Sequence, residues 1–136
     1  MIRTIAIAAV MLMGYAASAQ SASTPTFDSV TNAGTTILSL PSANYFSGGD
    51  GTFAIGVTYK KGTGTPAGTI IVQGKVGGNV WTPLTRSSVD SFTITNVDSN
   101  QKIFFYGDKK VKDVRVQIVG SGTQKTRIEA YFIKNL

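Results

Sequence analysis

The side chains able to do acid–base or metal chemistry are few in this chain of 136 residues. Its carboxylates are Asp28, Asp50, Asp90, Asp98, Asp108, Asp113 and Glu129, and it has neither histidine nor cysteine. Without histidine the commonest general base at neutral pH and the commonest metal ligand are gone. Without cysteine there is no thiolate nucleophile, no disulfide and no cysteine-based zinc site. No two carboxylates stand at a spacing that suggests a catalytic dyad. Asp50, in "GGDGT", resembles half of a calcium loop, but the second carboxylate such a loop needs is missing. The residue types therefore argue against an enzyme, a cofactor or a metal site, and for a protein that works by contact.

The side chains suited to contact are aromatic. Trp81 is the single tryptophan and lies in "GTIIVQGKVGGNVWTPL", residues 68–84. An indole in a small β domain usually fills the core or caps its end, since its large apolar area is costly to leave in water. On that reading Trp81 is packed or half-packed, and full burial would make Trp81→Ala cost about 3–5 kcal/mol. The alternatives are a stacking platform for a sugar and an anchor at a partner interface. Tyr45 and Phe46, adjacent in the loop "ANYFSGGDG", are candidates for stacking on a ligand or burying in a partner, or else tuck beneath their own loop. Asn79 and Arg86 are the polar groups placed to assist a ligand bound near Trp81.

The elements that would hold these residues read as strands. From Phe27 onward apolar residues recur with period two and nowhere keep a helical spacing beyond one turn. "TFAIGVTYK" puts Phe53, Ile55, Val57 and Tyr59 on one face. "VKDVRVQIV" puts Val114, Val116 and Ile118 inward, and "TRIEAYFIK" does the same for Ile128, Ala130 and Phe132, leaving Arg127, Glu129 and Tyr131 outside. Glycine-rich and polar breakers separate the runs, among them "SGGDGT", "KKGTGTPAG", "VGGN", "VDSN" and "GSGT". About eight or nine short strands result: 27–31, 36–40, 52–60, 69–76, 80–84, 91–95, 102–106, 113–119 and 126–134. Gly77 and Gly78 make a tight hairpin. Pro83 cannot donate to a ladder, so the return strand after that hairpin is short or at an edge. The expected fold is all-β, a single antiparallel sandwich of jelly-roll or Ig-like type.

Composition fits one such domain. Apolar residues make up 42% and charged residues 15%, with 15 glycines and a net charge of +6. The lysines read as a solvated fringe on strand ends and edges, where they also discourage sheet-to-sheet association. A nucleic-acid partner is not expected from them. The first residues, "MIRTIAIAAVMLMGYAASAQ", carry Arg3, an apolar run from Ile5 to Met13, and Ala17-Ser18-Ala19, which fits a small-x-small cleavage site. Residues 1–19 are thus expected to be a signal peptide or an N-terminal anchor, 20–26 a linker and 27–136 the domain. Contact with a membrane is expected only through residues 1–19, if they are retained.

The hairpin motif Gln73-Gly74, Gly77-Gly78, Trp81-Thr82, Leu84 and the later Val114-Arg115-Val116 and Gly120-Ser121-Gly122-Thr123 resemble small sandwich proteins of tailed-phage virions. In those, a T-V-x-L-Q-G-S strand, a glycine-rich turn and W-T-x-L precede a strand ending in T-G-S-G-T. The likeness spans roughly residues 68–134. It implies a non-enzymatic virion component, a capsid decoration, fibre or minor structural protein, whose partners are copies of itself or other virion or surface proteins. The hairpin also looks like that of discoidin-type carbohydrate-binding sandwiches, though Gly77-Gly78-Asn79 replaces their acidic turn residue. That likeness implies the alternative, a secreted bacterial surface- or carbohydrate-binding module whose partner is a cell-surface glycan. The expected location is accordingly the virion, or outside the cell.

Overall fold

Side chains alternate across a strand, so a run with apolar residues at every second position can bury them only by stacking one sheet on another. The computed structural model describes residues 20–22, 25–40, 53–84, 91–106 and 111–135, with the backbone alone at 20–22, 134 and 135. In it the described residues form ten strands: β1 (Gln20–Ala22), β2 (Thr26–Thr31), β3 (Thr35–Leu40), β4 (Phe53–Gly64), β5 (Gly68–Lys75), β6 (Thr82–Pro83), β7 (Ser91–Ile94), β8 (Ser99–Tyr106), β9 (Asp113–Gly120) and β10 (Gln124–Asn135). One sheet, here sheet A, has the order β1-β10-β4-β8, with β2 also pairing β10. Sheet B has the order β3-β9-β5-β6, with β7 also pairing β5. Every described pairing is antiparallel.

The expected sandwich is therefore the fold. Phe53, Ile55, Val57 and Tyr59 of β4, Val114, Val116 and Ile118 of β9, and Ile128, Ala130 and Phe132 of β10 are all buried in one core. Aromatic rings fill one part of it: Phe53 lies 5.2 Å from both Tyr106 and Phe132, centroid to centroid. Tyr59 packs 5.4 Å from Phe92 elsewhere in the core. Its buried hydroxyl is satisfied by Thr95, whose backbone N–H donates to it at 3.1 Å.

The differences from the sequence reading lie at the strand ends. β4 runs on to Gly64 rather than stopping at Lys60, because a register shift opposite Lys125 and Thr126 of β10 leaves Gly62 without a cross-strand partner. Such a bulge lets a strand bend and continue. β8 begins at Ser99 rather than Lys102. The stretch expected to be a linker contributes β1, which pairs with the C-terminal end of β10, Gln20 opposite Asn135. Pro83 sits in a strand of two residues at an edge of sheet B, as its missing N–H requires.

At one end of the sandwich three turns are tied together. Asn32, in the β2–β3 turn, has a left-handed φ of 51°, a conformation asparagine tolerates better than most residues. Its N–H donates to the Gln124 carbonyl at 2.8 Å and its side-chain oxygen accepts from the Gln124 N–H at 3.2 Å. The buried Gln124 side chain donates to the Ala67 carbonyl and accepts from the Thr126 hydroxyl at 2.6 Å. Gly64, with φ 74°, lies so close to the Thr123 carbonyl that a Cβ could not fit there.

Candidate functional site

Two surfaces emerge where the strands place aromatic side chains outward. The first is on sheet B. Because Leu84 enters the core, alternation turns Trp81 to the outer face. There the half-buried indole lies against two cations, with the Arg115 guanidinium 4.3 Å and the Lys75 ammonium 4.9 Å from its centroid. Both cations are held from the strand ladder beneath. The Arg115 Nε donates to Gln73 Oε1 at 2.7 Å, Gln73 Nε2 donates to Gln117 Oε1 at 2.9 Å, and Lys75 pairs with Asp113 at 3.3 Å. Gln73 is only 8% exposed although it faces outward. Trp81 is thus a half-packed cover over a polar ladder and lies outside the core cluster.

The hairpin leading to Trp81 projects. A Cβ built on Gly77 or Gly78 would meet nothing within 4 Å. Val76 and Val80, either side of the turn, are each 75% exposed. Asn79 is exposed at the tip beside them. The structure therefore brings Asn79 and Trp81 to one hairpin, while Tyr45, Phe46, Arg86 and Asp50 lie outside the described residues, as do residues 1–19.

The second surface is the outer face of sheet A. Cross-strand register defines its rows: Ile133–Ala54–Phe105, Tyr131–Gly56–Ile103, Glu129–Thr58–Gln101 and Arg127–Lys60–Ser99. The first two rows are apolar. Tyr131 lays its ring across Gly56, where any Cβ would collide with it. This explains why Gly56 is buried on a face that points to solvent. Phe105 and Ile103, on β8, are left exposed, at 59% and 43%. The other two rows are polar and form a shallow depression of ≈ 340 Å³ lined by Thr58, Lys60, Ser99, Arg127 and Glu129. Arg127 is engaged there, 2.8 Å from Glu129 and with its guanidinium 4.6 Å from the Phe27 ring.

Sequence reasoning did not single out Ile103 and Phe105. The signal was the run "KIFFY": once Phe104 and Tyr106 are core residues, their neighbours must face out. Among the described residues no group of three or more acidic, histidine or cysteine side chains is placed to hold a metal, and no helix is long and apolar enough to cross a membrane.

No family model matches the chain, and no curated protein matches it. Among solved structures the chain is similar to one from work described as "Bacillus endospore appendages form a novel family of disulfide-linked pili". The TM-score is 0.47 at 18% identity, over 87% of this chain and 88% of that one. A likeness of that degree carries no functional inference.

Proposed function

We propose that this chain is a non-enzymatic structural subunit that acts by assembly, as a component of a phage virion of the decoration, fibre or minor structural type. The observation that carries the assembly half of this reading is the outer face of sheet A. Its apolar rows end in Phe105 and Ile103, two large side chains held in water on a rigid sheet, and such residues contribute most when a partner removes them from solvent. The virion half rests on the resemblance of residues 68–134 to phage sandwich proteins. Fractionation of the source material tests it. The chain should sediment with particles, and negative-stain images of that fraction, labelled with an antibody to the chain, should show phage. Recovery only as free protein or with the bacterial surface would overturn the virion assignment.

The second reading, a secreted surface- or carbohydrate-binding module, is favoured by the half-exposed Trp81 with Asn79 on a projecting hairpin. Glycan-array binding that Trp81→Ala abolishes without loss of fold would establish it in place of the first.

A further inference from the structure

Edge strands expose unpaired N–H and C=O groups, and proteins guard them with outward lysines, prolines, bulges or covering segments. β8 is the edge of sheet A beyond β4, and among the described residues nothing pairs with its far side. Its eight residues, SNQKIFFY, contain no proline, and its pairing to β4 runs without a register shift. Its one charge does not guard it. The Lys102 ammonium turns between the sheets, donating to the Ser91 carbonyl at 2.9 Å and lying 4.8 Å from the Phe104 ring centroid. The outward side chains are Ser99, Gln101, Ile103 and Phe105, all uncharged.

We infer that β8 pairs antiparallel with β8 of a second copy, joining two A sheets into one continuous sheet. This deepens the assembly reading and rests on it. The strand's own sequence selects the register. Opposed residues of an antiparallel pair point to the same face, so a two-fold pairing must centre on a residue rather than between two. Centring on Lys102 sets two like charges directly opposite, which is destabilising. Centring on Phe104 leaves only residues 102–106 overlapping, whereas centring on Ile103 overlaps 100–106. The Ile103 register also places Ile103 against Ile103, Gln101 against Phe105, and Lys102 against the second copy's Phe104 ring. The pairing is therefore complementary to itself. In a chain of net charge +6, a contact through uncharged outward side chains also adds no like-charge pair to the general repulsion between two copies.

A pair of this length is smaller than the about 800 Å² per partner of a standard interface. It is expected as a weak dimer, with Kd about 10 µM or weaker, strengthened where an array holds many copies together. Sedimentation equilibrium of the full chain to about 1 mM, a hundred times that Kd, should show monomer passing to dimer. Phe105→Lys, which restores an outward edge lysine, should weaken the dimer about tenfold or more, with far-UV circular dichroism and Tm unchanged. Ile37→Lys, on the edge of sheet B, should not weaken it. The absence of native cysteine allows a direct test of register. Ile103→Cys should give a disulfide-linked dimer on mild oxidation, while Ile37→Cys stays monomeric. A chain monomeric to about 1 mM, or a dimer indifferent to Phe105→Lys and linked through Ile37→Cys, overturns the β8 contact. In the second case the assembly reading survives with a different interface. Particle association that persists in Phe105→Lys likewise separates the two claims.

Discussion

At the scale of single residues, the molecule separates aromatic groups that hold the core from those that cover a surface. Tyr59, fully buried with its hydroxyl bonded to Thr95, belongs to the first kind. Trp81 belongs to the second: it shields the Gln73–Arg115–Gln117 ladder and lies beside two cations. Each cation–ring contact at a partly exposed site is worth about 0.5–1 kcal/mol. Trp81→Ala is therefore expected to destabilise by about 1–2 kcal/mol, below the about 3–5 of a fully buried aromatic. Urea denaturation followed by far-UV circular dichroism measures the loss. A loss at the fully buried level would show that the indole penetrates the sheet. The sequence contained this distinction. "VWTPL" alternates, so a core Leu84 commits Trp81 to the opposite face. What the sequence lacked was which of the two residues wins the interior.

At the scale of elements, the strands were legible and their neighbours were not. Period-two runs in 53–60, 113–119 and 126–132 identify both the strand and its buried face, since burial follows from the pattern itself. Edge position does not, because it depends on pairings between segments far apart in the chain. "SNQKIFFY" reads alike in the middle of a sheet and at its rim, so the exposed Ile103 and Phe105 surface only with the strand order. The bulge at Gly62 and the short pairing of β1 escape sequence reading for the same reason.

The knot of turns around Gln124 shows what such long-range pairing costs to disturb. Gln124 links the β2–β3 turn, the β4–β5 connection and β10 through Asn32, Ala67 and Thr126. Gln124→Leu would leave the buried Thr126 hydroxyl without its Gln124 partner, while the Ala67 carbonyl would keep only the Ser121 N–H. An orphaned buried polar group costs about 1–3 kcal/mol, and a fall in stability of that size is expected by thermal denaturation. Asn32→Gly should lie close to wild type, because glycine also accepts a positive φ. Asn32→Val should cost more, since a β-branched residue is strained there. If the glycine variant loses as much as the valine, the side-chain bond to Gln124 matters more than the backbone conformation.

At the scale of the whole molecule, charge and apolar surface are arranged against each other. The chain carries +6, and on the outer face of sheet A Lys60, Arg127 and Glu129 stand in the rows away from Phe105 and Ile103. Two copies meeting through a neutral edge still repel through their net charges, and salt screens that repulsion. The Debye length falls from about 30 Å at 0.01 M to about 10 Å at 0.1 M. Self-association is therefore expected to tighten as ionic strength rises over that range, and to be nearly flat beyond it, where apolar contact and backbone hydrogen bonds dominate. Binding to an anionic partner behaves in the opposite way, weakening steadily as salt displaces the cationic contacts. Sedimentation equilibrium at several salt concentrations, set beside retention on a heparin column, compares the two directly. A dimer that dissociates with added salt would mean that the contact is built from ion pairs, and would move it away from β8 to the Lys60–Arg127–Glu129 depression.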